Sequence, residues 1–376
     1  MANNSRRGAL CLLVSLVIAG AAGKCEWSHT EKRMRGCAGD KDSTKPPGQG
    51  LDKDSVGREE PSTLDERFAP QPCMTYDDKY GPHNATTATA PPTPPLPSSV
   101  PTRGGSAVVL RASAEVSPMS RSAAVAFRAL VAEAAPRPVY VLMHNPRNRT
   151  RAEATKKLSA EAAARAVLVT DAEIEALSPV VWRNIVPSVP GYAMAVALHP
   201  YDDAALLWFH DAYTGRRHDF LWSIEPDVRY GGDWGGLFGR AERAAAASNS
   251  SLVVFDRPWA PNGDWGPWGV FVGPTFAGIP MGKRRHNLMV LAGYGAPLMA
   301  EMSGLTAKGE AAFVEQFAPT LAHVYGLGTL YVVHARAAQG DGTFCVRCNK
   351  GPVKYEASWR ASGDCRVPLL LHPVKT

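Results

Sequence analysis

Long aliphatic side chains are scarce between residue 24 and about residue 105, where Pro, Lys, Asp, Thr and Ser dominate and one run reads APPTPPLPSSVP (Ala90–Pro101). Such a segment cannot bury enough apolar surface to offset the entropy of ordering it, so a packed core is excluded there and a disordered, extended stalk is expected. Missing too is any apolar stretch beyond residue 23 long enough to cross a bilayer. No histidine pair of the HExxH kind occurs, which counts against a metallohydrolase. Cys345-x-x-Cys348 stands alone, without the second pair or the histidines that a structural zinc site needs. Positive charge is thin as well. The net charge is +6, and the one dense basic cluster of the folded part, Lys283–His286, has no aromatic platform beside it, which argues against nucleic-acid recognition.

What is present is one domain's worth of core. Of 376 residues, 45% apolar, residues 106–376 remain for a single folded domain. At the N-terminus, Arg6-Arg7 precedes the apolar run Ala9–Gly23, and Lys24 follows it. This charged n-region and short h-region make residues 1–23 a signal peptide or a signal anchor, and either delivers the domain to the secretory pathway. Localisation in the Golgi lumen (type II anchored) or secretion is the expectation. Six cysteines remain outside the h-region, an even set suited to disulfides in that compartment. Cys345, Cys348 and Cys365 are the candidates within the domain. Asn84, Asn148 and Asn249 each open a glycosylation sequon.

From residue 120 onward, helical and strand patterns alternate. Ser120–Ala135 reads as a helix, Val139–Asn145 as a buried strand, Arg151–Arg165 as one surface helix and Ala166–Asp171 as a strand. A helix at Tyr201–Tyr213, a strand at Asp219–Ile224, a helix at Leu237–Ala247 and a strand at Ser251–Phe255 follow. Pro258–Pro280 is a Gly/Pro/Trp-rich loop, in which Trp265 and Trp268, like Trp222 upstream, are candidates for stacking on a sugar ring. Helices around Leu288–Met302 and Lys308–Tyr325 and a strand at Thr329–Ala335 complete the pattern. The alternation predicts an α/β fold with a mostly parallel central sheet.

The chemistry is expected at DFLWSIEPDVRYGGDW (Asp219–Trp234). An apolar strand ends there on Glu225 and Asp227, and in open α/β sheets ligands bind outside the carboxyl ends of strands. Two carboxylates at that place suit a hard divalent cation, Mg²⁺ or Mn²⁺, which keeps waters and bridges phosphates. If the extended run continues through Pro226, both acids point to one side.

This strand end resembles the DxD metal motif of GT-A-type glycosyltransferases, with Glu in the first place. Together with EQFAPTLAHVYGL (Glu315–Leu327) and CRVPLLLHPVK (Cys365–Lys375), it is similar to a family of glycosyltransferase-like proteins of the eukaryotic secretory pathway. The resemblance covers Trp222–Lys375. It implies a GT-A-like nucleotide-diphospho-sugar transferase fold, a nucleotide-sugar donor and a glycan or glycoprotein acceptor. It implies, too, that His372 completes the metal site, that Lys375 reaches the diphosphate and that Glu315 is the general base. A disulfide from Cys365 to Cys345 or Cys348 would root the tail. The alternative is a non-catalytic carbohydrate-binding or scaffold protein that keeps the fold.

Overall fold

A computed structural model describes residues 26–28, 33–35, 104–113, 119, 121–177, 203–255, 271–332, 344–345 and 370–371. The chain divides into two units, Met1–Gly57 and Arg58–Thr376. The first contains a short antiparallel pair, β1 (Glu26–Ser28) with β2 (Arg33–Arg35). That ladder falls inside the stretch read as a stalk; the apolar segment 9–23 and Asn84 lie outside the described residues. Among the described residues no helix is long and apolar enough to cross a membrane.

Among the described residues, the second unit opens with β3 (Ser106–Ser113), α1 (Arg121–Ala134), β4 (Val139–His144), α2 (Arg151–Thr155), α3 (Ala160–Ala164), β5 (Ala166–Val169) and α4 (Asp171–Leu177). Helix α5 (residues 203–208) runs on into a π turn at Phe209–Tyr213. Then come β6 (Phe220–Ile224), β7 (Arg229–Tyr230), α6 (Trp234–Ala247), β8 (Leu252–Val254), β9 (Phe271–Val272) and α7 (Pro274–Gly278). The last part holds β10 (Leu291–Gly295), α8 (Ala296–Ala307), β11 (Ala311–Ala312), α9 (Val314–Val324), β12 (Thr329–Tyr331), β13 (Phe344–Cys345) and β14 (Leu370–Leu371).

Seven strands form the central sheet in the order β12-β8-β10-β6-β3-β4-β5. Neighbours run parallel except at β10, which is antiparallel to both β6 and β8. The mostly parallel α/β sheet expected from the alternation is therefore present. Its strands are buried on both faces, which explains their continuous apolar runs. Val108, Leu110, Val141, Trp222 and Ile224 pack against α1 and α6 on one face. Val109, Leu142, Leu221 and Ala292 pack against α5, α8 and α9 on the other.

Three elements differ from the sequence reading. Arg151–Arg165 is two helices, not one, because Ser159 caps the second by accepting the Ala162 N–H while Thr150 and Glu153 form a capping box on the first. The helix expected around Leu288–Met302 begins as the reversed strand β10. Its apolar run is too short for periodicity to tell strand from helix. Gly293 stands opposite Trp222 in the ladder, and a Cβ there would enter the Phe220 and Trp222 rings, so only glycine leaves those rings room. Finally, Lys308–Tyr325 is not a single helix: Ala311 and Ala312 pair with Val272 and Phe271 in a separate two-stranded sheet, and α9 starts after Phe313. Glu315 on α9 therefore shares no helical face with Ala311 and Ala312.

Candidate functional site

Strand β3 sends its successors β4 and β5 to one side, while β6 lies on its other side. The strand order thus reverses between β3 and β6, and a crevice outside their carboxyl ends is where an open α/β sheet takes its ligand. Leu110 is paired with Ile224, so the next residue on each strand, Arg111 and Glu225, meet at that reversal. The Arg111 guanidinium donates to Glu225 Oε1 at 3.0 Å and, through the same nitrogen, to the Met289 carbonyl at 2.9 Å. Arg111 is buried, and the Glu225 side chain is 29% exposed.

Beyond Glu225 the strand does not continue. The Val228 N–H donates to the Glu225 carbonyl at 3.1 Å, closing a turn over Pro226 and Asp227. Buried Arg229 braces this turn by donating to the carbonyls of Pro226 at 2.8 Å and Val228 at 2.9 Å. Beneath it, Pro226 and Val228 line a small apolar cavity with Leu110, Phe127 and Trp234. The alternation that would have put both acids on one side of an extended strand is therefore absent. Asp227 sits instead, half-buried, on a turn held from two directions.

Glu315 comes to the same end of the sheet by a traceable path. The Asn287 N–H donates to the Glu315 carbonyl at 2.9 Å, and three residues later the Val290 carbonyl accepts the Glu225 N–H at 2.8 Å. Three residues of chain reach about 10 Å at most. Glu315 lies in the first turn of α9, half-buried. At the carboxyl end of β4, His144 Nε2 lies 2.7 Å from Asp171 Oδ1, at the start of α4.

The tail returns to this end as well. Strand β14 pairs antiparallel with β7, Leu370 with Tyr230 and Leu371 with Arg229, and β13 joins its other side with Cys345 opposite Leu371. His372, Lys375, Cys348, Cys365, Trp265 and Trp268 lie outside the described residues.

Trp222 is a correction. It was expected to touch substrate, but it is fully buried on β6, stacked on Phe238 with ring centroids 4.8 Å apart. Its Nε1 donates to Glu242 Oε1 at 2.8 Å. Glu242 in turn takes two bonds from Arg137, at 3.0 and 2.6 Å. Burial works to raise the Glu242 carboxyl, but hydrogen bonds from Arg137, Ser106 and Trp222 outweigh it and hold it below its ordinary value. A ring with no exposed face cannot stack on a sugar. Glu310 is buried and anchors α7 by accepting from the N–H groups of Thr275 and Phe276. In the basic cluster, buried Arg284 donates to the carbonyls of Ile279, Phe276 and Ala277 and so serves the fold.

Asn148 and Asn249 are both exposed and both have positive φ, 46° and 50°. They follow and precede strands on opposite halves of the sheet, Asn148 after β4 and Asn249 just before β8. Sequence reasoning missed Arg111 and Arg229. The one charged residue inside SAVVLRAS was the available signal, since a buried strand keeps a charge only where a partner waits.

The donor set fits a hard divalent cation in type: carboxylate oxygens at the carboxyl end of the strands, with one Glu225 oxygen already taken by a guanidinium. Among the described residues, no group of three or more His, Cys, Asp and Glu gathers to enclose a cation.

Fold and site together define an α/β protein whose strand-end acids lie at a topological switch point, the place where open α/β sheets bind ligands. No protein-family model matches the chain, and no curated protein does. Among solved structures it is similar to the WbbM bifunctional glycosyltransferase in its apo form, at 11% identity and a TM-score of 0.32, over 60% of this chain and 38% of that one. It therefore spans well under half of that protein. It is similar also to mouse xyloside xylosyltransferase 1, at 14% identity and a TM-score of 0.31, over 61% of this chain and 79% of that one. A third is glucosyl-3-phosphoglycerate synthase from Mycobacterium tuberculosis in complex with Mg²⁺ and UDP, at 14% identity and a TM-score of 0.28, over 63% and 74%. Likeness at that level carries no argument about this chain's activity.

Proposed function

We propose that the chain is a metal-dependent glycosyltransferase that moves a sugar from a nucleotide-sugar donor to a glycan or glycoprotein acceptor in the secretory pathway, held or released there by residues 1–23. The observation that carries this reading is the braced turn that places Asp227 at the carboxyl side of the β3/β6 reversal, beside the paired tail strand β14. Asp227 would hold Mn²⁺ or Mg²⁺, and the ion when bound neutralises charge developing on a diphosphate leaving group. Glu315, at the same end of the sheet, would take the proton of the acceptor hydroxyl. Strand β14 ends at Leu371, so the next residue in the chain is His372, the proposed imidazole ligand, with Lys375 assigned to the diphosphate. Those last two roles rest on the family ending that CRVPLLLHPVK resembles.

The experiment is a panel of nucleotide sugars presented to the full chain with and without Mn²⁺. Mn²⁺-dependent nucleotide binding and transfer are expected, and Asp227→Ala should abolish both without unfolding the protein, because a half-buried turn carboxylate contributes little packing. Full activity in that variant would overturn the metal site. Glycan binding without any metal-dependent nucleotide binding would favour a carbohydrate-binding protein that keeps the fold.

A further inference from the structure

We infer that Pro319 and Thr320 on α9 form a clamp on the segment leading into β10, and that through this clamp Thr320 is a positioning residue for Glu315. The role at Glu315 rests on the reading of that acid as the base of a sugar transfer. The clamp itself stands on hydrogen bonds.

Pro319 lies inside α9, where proline is disfavoured because it has no N–H to give the carbonyl four residues back. That carbonyl belongs to Glu315, and it accepts the Asn287 N–H at 2.9 Å. The next residue, Thr320, is fully buried. A threonine inside a helix commonly turns its hydroxyl onto its own helix. This one reaches across instead. The Arg285 N–H donates to Thr320 Oγ1 at 3.0 Å, and the same hydroxyl donates back to the Arg285 carbonyl at 3.0 Å. The segment is thus bonded to α9 at Arg285 and at Asn287, once through the threonine hydroxyl and once through the carbonyl that the proline releases. Further along, the Met289 carbonyl takes the Arg111 guanidinium and the Val290 carbonyl takes the Glu225 N–H. Residues 285–290 therefore run from α9 to the end of β6 as one strut, bonded at both ends. Glu315 sits in the first turn of α9. Its place relative to the β3/β6 reversal is set by how firmly that strut is seated, and Thr320 seats it.

The test uses the full chain and two readouts. One is amide hydrogen exchange at Arg285 and Asn287, measured relative to the amides of β3. The other is nucleotide release from a panel of UDP- and GDP-linked sugars with Mn²⁺. Thr320→Val keeps the shape and removes the hydroxyl, so relative exchange at Arg285 should rise about tenfold or more. Its kcat should fall about tenfold or more with the donor KM within about threefold, since a misplacement of about 1 Å costs up to about 10²-fold in rate. Thr320→Ser keeps the hydroxyl and should restore both. Pro319→Ala returns an N–H that competes for the Glu315 carbonyl, so Asn287 should exchange faster by about tenfold while Arg285 stays within about threefold. That variant also decides the clamp if Thr320→Val fails to fold. If Arg285 exchange rises no more than that of the β3 amides, or Asn287 in Pro319→Ala is unchanged, the clamp is wrong. If the clamp opens and kcat stays within about twofold, or serine fails to restore it, Thr320 does not position Glu315. A wild type that releases no nucleotide would sink the transferase reading and the role at Glu315 with it, while the exchange rates still decide the clamp.

Discussion

Replacing Glu310 by Gln separates an acid that holds the fold from one proposed to do chemistry. Glu310 is 2% exposed, and its two carboxylate oxygens accept the backbone N–H groups of Thr275 at 2.9 Å and Phe276 at 3.1 Å in the first turn of α7. Gly273 comes so close, at φ 99°, that a Cβ on it would run into the same carboxylate. A glutamine offers one carbonyl oxygen and one NH₂ group, so one of the two N–H donors would face another donor. A hydrogen bond to a charged group contributes about 1.5–3 kcal/mol, and a buried donor left without an acceptor costs about 1–3 kcal/mol. Glu310→Gln should therefore lose about 2–4 kcal/mol. At about 2–4 °C per kcal/mol for a domain of this size, its Tm should fall by about 5–15 °C. Half-buried Glu315, replaced by Gln, should lower Tm clearly less than Glu310→Gln does, while removing the proposed sugar transfer. Thermal unfolding followed by circular dichroism, on both variants and the wild type, makes the comparison. An unchanged Tm for Glu310→Gln would refute the anchoring role, and an equal fall in Glu315→Gln would place Glu315 among the structural acids.

Two further outcomes are expected. Trp222→Phe should lower Tm, because it removes the bond to Glu242, about 1.5–3 kcal/mol for a charged acceptor; ligand affinity lost with Tm unchanged would return Trp222 to the binding site. Acid should weaken the fold through His218, a buried residue whose two ring nitrogens have no hydrogen-bond partner among the described residues. Burial first, and then neighbouring His210, push its pKa below the ordinary value, against a smaller upward pull from Asp219. The folded state thus takes up this proton less readily than the unfolded chain. Stability should be full above about pH 6.5 and fall below it by at most about 1.4 kcal/mol per pH unit. Nearby Asp211 acts in the same direction but in a lower window: burial would raise it, but hydrogen bonds from His210, Arg216 and Ser303 hold it well below the carboxylate range, so its contribution is full above the ordinary value of 3.8 and is lost only as pH falls below it. Tm measured from pH 7.5 to 5 checks this, and a profile that is flat in the wild type, and the same in His218→Gln, would refute it.

Much of the strand and helix alternation from residue 120 onward was legible because the central strands are buried on both faces and helices such as α1 and α6 show one apolar side, and both patterns are local properties of the chain. The place of the acids was legible for a related reason. A polar Glu-Pro-Asp that interrupts FLWSI marks a strand end whatever its neighbours are. What the sequence could not show is which residues a distant strand brings alongside. That Trp222 is core follows from α6 laying Phe238 and Glu242 against it, and that Glu310 is buried follows from α7 pointing two N–H groups at it. The reversal of β10 likewise depends on a pairing with β6 and β8 that no short apolar run can announce. The different settings of Glu225 and Asp227 belong to the tertiary structure alone. Arg111 lies 114 positions before Glu225, and only the parallel register of β3 with β6 sets that guanidinium against one acid while the turn braced by Arg229 carries the other.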